Sequence, residues 1–219
     1  ANVACGLAKL GENVAFVGRL GADTSGSKFK QLMVSRGINL NCLQIDHERL
    51  TRIVLVRRLN DGERIFQGFQ GHGIDGFADQ HVEALELAET WPLIARKAAW
   101  LLIGSIPMAS QIASHALLWT VENALRSGIK VAFDVNWRPT FWSSSLSSDS
   151  GPDEITCSKI LPLFEKANLL KLAKEEAFWF FDTDEPQKIS KLLSLEPDVI
   201  VTDGARPIRW WMSGCEGDM

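Results

Sequence analysis

The chain has 219 residues, 46% of them hydrophobic, and 27 acidic against 23 basic side chains give it a formal net charge of −4. That length and apolar share suffice to bury a full core in one domain. The basic residues are scattered, which leaves no field to attract nucleic acid or an anionic membrane, and the longest apolar stretch, residues 98–108, is about half of what a bilayer span needs.

Residues 1–10 place Val3, Leu7 and Leu10 on one face at helical spacing, with Gly11 as a stop. A short apolar strand follows over 13–17. Gly18 and Gly21 then break the pattern, and Asp23 or Ser25 can cap a helix that runs to Arg36 and closes at Gly37. The stretch "TRIVLVRRLNDGERIFQGF" alternates on both sides of Asp61-Gly62, a dipeptide that tolerates the positive φ of a tight hairpin, and predicts an antiparallel ribbon. From Phe77 the rhythm changes to a helix to about 90, a buried strand over 98–105, a helix over 110–126 and the strand "KVAFD". A Ser-rich connector at 143–151 precedes a helix over 155–165, the strand "NLLKL", two short helices and the strand "DVIVTD". Helices alternating with continuous apolar strands predict a parallel sheet with helices on both faces. The expected architecture is one α/β domain over 1–219 with a ribbon at about 39–73 projecting as a lid over the carboxyl ends of the strands, where open sheets bind ligands.

Cys5, Cys42, Cys157 and Cys215 lie far apart with no Cys-x-x-Cys, and read as reduced thiols of an intracellular protein. No basic and apolar leader precedes the first helix, so the cytoplasm is the expected compartment; a transit peptide on a lost N-terminus would place the protein in the plastid stroma. There are eight Trp and no Tyr, and Trp100, Trp119 and Trp179 fall on core-facing positions. Gly71 to Gly76, "GHGIDG", fits Gly-x-Gly-x-x-Gly only weakly as a dinucleotide loop. The strand before it is amphipathic, and no acidic residue ends the strand after it.

The opening "ANVACGLAKLGENVAFVGRLG" has Asn2-x-Ala4, Gly11 and Gly21 at the spacing of the first signature of the PfkB sugar kinases, and the chain resembles that family, fructokinase-like branch, along its whole length. Gly18-x-x-Gly21-x-Asp23-x-x-Gly26 resembles the turn after the signature, "LLIGSIP" the strand end beneath the sugar, and "DVNWRPTFW" the family's Asp-x-Asn-x-Arg motif. The resemblance implies a ribokinase-like, three-layer α/β/α fold with a mostly parallel sheet. It also implies an ATP-dependent sugar kinase acting on a monosaccharide such as fructose, with Mg2+ and ATP. Asn2, Asp134, Asn136 and Arg138 would bind substrate, the carboxylate and amide holding the Arg so that its guanidinium meets a phosphate or sugar carboxylate. Small-residue packing at Asn2 and a loop-fixing salt bridge at Arg138 are the plain alternatives.

"LLKLAKEE" resembles the Lys-x-Asn-x-x-Glu segment, which makes Glu176 the magnesium-organising residue or else a solvent-facing helix residue, with Ala173 where the family has Asn. "VTDGARP" resembles the nucleotide-lining turn and assigns Thr202 and Gly204 to the nucleotide, with Pro207 where the last glycine would be and no amide hydrogen to donate. The family's catalytic Gly-Ala-Gly-Asp is expected beyond Met219, since "GCEGD" at 214–218 reads as a hairpin loop, and the chain is expected to be incomplete at both ends. The resemblance also allows a homodimer paired through the ribbon. A second reading follows from Ala173 and Pro207: a catalytically inactive fructokinase-like interaction subunit, as in plastid transcription.

Overall fold

The structure, a computed structural model, describes residues 1–58, 64–71, 76–143, 145–147 and 149–219. They divide into two compact units, Ala1–Lys97 with Ser110–Ala116, and Ala98–Ala109 with Leu117–Met219.

In the first unit α1 (Asn2–Lys9) is followed by β1 (Ala15–Gly21), α2 (Thr24–Ser35) and β2 (Asn39–Asp46), and β1 and β2 pair in parallel. The segment 39–46, expected in the ribbon, is therefore the second strand of a βαβ unit, and the ribbon is the shorter β3 (Val54–Arg58) with β4 (Arg64–Phe69). Leu43 and Ile45 alternate with buried Cys42, Gln44 and Asp46, a pattern that also suits an amphipathic ribbon, which is why periodicity did not separate the two. The Asp61-Gly62 turn lies outside the described residues, as do residues 72–75 of "GHGIDG". A 3-10 turn, Ala78–His81, and α3 (Ala84–Ala95) take the place of the single helix expected from Phe77.

Gly18 lies inside β1 and does not end it, whereas Gly21 is its last residue. Gly26 is required by close approach: a Cβ there would collide with the Gly21 carbonyl oxygen. Asp23 organises this corner, accepting the Gly26 amide through Oδ1 (2.7 Å) as the cap of α2 and the Thr51 amide through Oδ2 (2.6 Å). Val3, Leu7 and Leu10 of the first helix are exposed, and α1 buries no residue. The core of this unit is Met33, Phe77, Leu87 and Trp91. At the base of the ribbon the Arg52 guanidinium lies 4.9 Å from the Phe69 ring and 5.0 Å from the Phe77 ring, and pairs with Asp79 at 3.1 Å.

Asp46 ends β2, 1% exposed. Its Oδ1 accepts the amides of Glu48 and Arg49, each at 2.9 Å, and its Oδ2 pairs with Arg19 Nε at 3.0 Å. Burial acts to raise this carboxyl, but the two amides and the arginine outweigh it and hold it at about 2, against an ordinary 3.8. A pKa lowered by folding stabilises the protein above the unfolded value and is lost as pH falls through the folded one, so the contribution is present above about pH 4 and gone below 2. Asp46→Ala should cost about 2 kcal/mol at neutral pH and flatten the acid limb between pH 4 and 2, as read by urea unfolding.

The second unit carries β5 (Trp100–Gly104), most of α4 (Gln111–Arg126), β6 (Lys130–Asp134), α5 (Pro139–Trp142), α6 (Glu154–Phe164), β7 (Leu169–Ala173), α7 (Lys174–Phe181), α8 (Pro186–Lys191), β8 (Asp198–Thr202), β9 (Arg209–Met212) and β10 (Cys215–Asp218). The sheet order is β10-β9-β8-β7-β6-β5, parallel from β5 to β8 and antiparallel at the hairpin. Because successive parallel strands are added in one direction, right-handed crossovers put their helices on one face. The core confirms this. Val131, Phe133, Leu170, Leu172, Val199 and Val201 meet Val121 of α4, Ile160 and Phe164 of α6 and Ile189 of α8.

Trp100 and Leu102 alternate with buried Ile103 and are exposed; Trp179 is also exposed, and Trp119 is half-buried. The buried tryptophans are Trp91 and Trp137, so a helical or strand register that looks inward does not by itself bury a ring. "GCEGD" forms the turn and second strand of the β9–β10 hairpin, with Ser213 (φ 51) and Gly214 (φ 81) at the positive angles a two-residue turn demands. All four cysteines are free thiols. Among the described residues no helix is long and apolar enough to cross a membrane.

Candidate active site

The carboxyl ends of β6, β7 and β8 bring most of the expected site residues together in the second unit; Asn2 belongs to the first unit, exposed in the opening turn of α1. Continuing from β6, the Val135 amide still bonds the Lys171 carbonyl of β7 at 3.1 Å, and the chain then turns at Asn136, whose φ of 45 lies in the left-handed region. Asn is among the few residues that accept this conformation without a large steric cost.

Trp137, which was not singled out from the sequence, anchors the loop. It is 4% exposed, and its Nε1–H donates to the Ser150 carbonyl at 2.7 Å, so the Ser-rich connector is tied to the site at that point. Its ring lies 5.3 Å from that of Trp142. Its backbone N–H donates to Glu176 Oε1 at 2.6 Å, while Glu176 Oε2 accepts the Ala173 amide at 2.7 Å. Glu176 is 5% exposed and not solvent-facing. Burial raises its carboxyl above the ordinary value, against the lowering effect of the two amides. One side chain thus caps α7 and clamps the β6 loop to the end of β7.

Asp134 does not hold Arg138. Its register partner on β7 is Lys171, on the same side of the sheet, and Lys171 Nζ lies 3.2 Å from Asp134 Oδ1. This Oδ1 is buried and has no aligned hydrogen bond, so the pairing is one of charge. Arg138 instead donates from Nη1 to the carbonyl of its neighbour Trp137 at 3.0 Å. It is exposed and has no carboxylate partner among the described residues; Asn136 likewise makes no side-chain hydrogen bond there. A guanidinium fixed at one nitrogen with its remaining donors open is suited to an anion, and an amide offers both a donor and an acceptor to a polyol.

At the end of β8, Thr202 Oγ1 leans back on the Leu172 carbonyl at 3.4 Å, and Gly204 takes a φ of +56 in the turn that follows. Asp203 between them accepts Lys174 Nζ and Arg206 Nη1, each at 3.2 Å. Lys174, Asp203 and Arg206 open on a hollow of about 800 Å³ whose wall also includes Pro207, Arg209 and Trp210; Thr202 and Gly204 flank Asp203 in the chain but do not line it. Among the described residues no three His, Cys, Asp or Glu side chains converge as a metal-ligand set, and Glu176 turns both oxygens onto amides. With both oxygens on amides, Glu176 positions the β6 loop and the start of α7, and its expected part in organising magnesium would run through the loops it holds.

Comparison with known proteins identifies the family and the fold. The pfkB family carbohydrate kinase model matches residues 1–216. Fructokinase-2 of Oryza sativa subsp. japonica is 28% identical over 224 residues, covering 100% of this chain and 62% of that protein. Two solved structures share the fold: a fructokinase from Xylella fastidiosa (TM-score 0.80, 23% identity, 100% of this chain and 66% of that one) and a fructokinase from Vibrio cholerae O395 in fructose, ADP and calcium ion bound form (TM-score 0.77, 22% identity, 100% and 66%). The chain spans a little under two thirds of the length of the curated relatives it matches. The fold is ribokinase-like α/β with a mostly parallel sheet, and the chain belongs to the PfkB family of carbohydrate kinases.

Proposed function

We propose that the protein is an ATP-dependent sugar kinase that passes the γ-phosphoryl group of ATP to a hydroxyl of a monosaccharide, with fructose as the first candidate. The observation that carries this reading is the β6 loop, in which the Asn136 amide makes no hydrogen bond and Arg138 only one, to the adjacent carbonyl, among the described residues, while Glu176 holds the backbone between them at the carboxyl ends of the sheet. Phosphoryl transfer asks mainly for positioning and for cationic stabilisation of the moving group. In this reading Asn136 orients sugar hydroxyls, Arg138 meets the phosphoryl oxygens or an anionic substrate group, and Thr202 with Gly204 lies along the nucleotide. No described residue is assigned as the base. Asp218 stands on β10 opposite Arg209, not at the start of a helix where an anion would be stabilised.

The second reading, a kinase-fold interaction subunit without chemistry, is favoured by Ala173, Pro207 and the pairing of Asp203 with both nearby cations. A transfer assay separates the two. The protein carrying this chain, given γ-labelled ATP and a panel of fructose, glucose and ribose, should label one sugar in preference to the others. A folded protein that labels none of them, and binds none by calorimetry, would leave the second reading.

A further inference from the structure

The turn after β8 is closed by its own backbone, the Arg206 N–H donating to the Asp203 carbonyl at 2.9 Å, and does not need the Asp203 side chain to form. That carboxylate nevertheless draws in two cations from different elements. Lys174, the first residue of α7, and Arg206 both reach the same oxygen, Oδ2, at 3.2 Å. Both cations also line the hollow, where the third basic side chain, Arg209, is held by Asp184. Five carboxylates face three cations on that wall, and every cation already has a protein carboxylate as partner. Pro207 has no N–H to add, and Ala173 no side-chain amide.

A cavity evolved simply to hold phosphate oxygens leaves its cations open to them, as Arg138 is left open on the neighbouring loop. Here one carboxylate holds two of the three cations. We infer that Asp203 is an internal competitor for phosphoryl groups: a phosphorylated ligand enters this hollow by taking Lys174 and Arg206 away from Asp203, and this aspartate keeps the affinity low. The inference rests on the nucleotide reading of the Thr202–Gly204 turn given above and specifies what limits binding there.

The test titrates inorganic tripolyphosphate into the full chain by calorimetry. Asp203→Asn should bind it roughly three- to tenfold more tightly than the parent, the gain expected from freeing two partly exposed ion pairs. The gain should disappear in Asp203→Asn combined with Lys174→Gln, and shrink as salt is raised. Asp203→Ser repeats the measurement should the Asn variant misfold, with circular dichroism as the check. Glu216→Gln removes a charge from the same wall without touching either cation. An equal gain in that variant would reduce the effect to general charge and overturn the inference. Unchanged, weaker or undetectable tripolyphosphate binding in a folded Asp203 variant overturns it too. A parallel titration with ATP separates the two ideas. A gain for tripolyphosphate without one for ATP keeps the competitor and removes the nucleotide reading; ATP bound alike by parent and variant, with tripolyphosphate unaffected, does the reverse.

Discussion

Replacing Arg138 with alanine should lower kcat/KM for sugar phosphorylation by about a hundredfold or more while leaving the thermal midpoint almost unchanged. Both halves of that expectation come from the same geometry. The guanidinium makes one hydrogen bond, to the carbonyl of the adjacent residue, and is exposed with no carboxylate partner among the described residues, so its removal leaves no buried group stranded. In the proposed reaction it is the only open cation of the loop, and loss of one preorganised donor to a developing charge is worth about 3–4 kcal/mol. Arg138→Lys should recover little, because an ammonium cannot offer two parallel N–H groups to phosphoryl oxygens. Turnover equal to the parent would take Arg138 out of the site. A large fall in stability would recast it as a structural residue.

Glu176 should behave in the opposite way. Glu176→Ala leaves the Trp137 and Ala173 amides without acceptors and should cost about 3 kcal/mol, with activity lost as the β6 loop is released. Glu176→Gln keeps one acceptor oxygen and should fall between. The pH dependence gives an independent readout. Burial, ahead of the two amides, raises the folded carboxyl above its ordinary 4.5. The folded state therefore holds the proton more tightly than the unfolded chain, and this contribution is fully present below 4.5 and is lost as pH rises through the raised value. Urea unfolding over that range should show the parent losing its advantage over Glu176→Gln with rising pH. A widening advantage would mean that the two amides dominate and the anion is the favoured form. In either case Trp137 fluorescence should report the loop, since the ring is packed on Trp142 and anchored at Ser150.

Much of the fold was legible because its signals are local. Asp23 three residues before Gly26 and Asp153 three before Thr156 are helix caps that work through a neighbouring amide, and they begin α2 and α6 where such residues should. The short apolar runs of β6, β7 and β8, bounded by turn and cap residues, are readable without any partner strand, and their alternate residues are the ones that reach the core. The ribbon was over-extended for the converse reason. Asn39–Asp46 alternates like a ribbon strand, and only its pairing with β1 shows that it belongs to a βαβ unit.

The site divides along the same line. Where the expected residues sit could be read from the chain: Asn136, Arg138, Glu176, Thr202 and Gly204 all lie at or next to strand ends of the second unit. Which partner each one takes could not be read. Asp134 pairs with Lys171 and not with Arg138, Glu176 accepts the amide of Trp137 across 39 positions, and Asp203 meets Lys174 across 29. Sequence alone determined the order of helices and strands and the identity of the polar groups, because caps, turns and apolar periods act within a few residues. Tertiary structure decided whether a carboxylate clamps a loop, neutralises a lysine or holds two cations at once, because a charge interacts with whatever the fold brings within a few ångströms and not only with its neighbours in the chain.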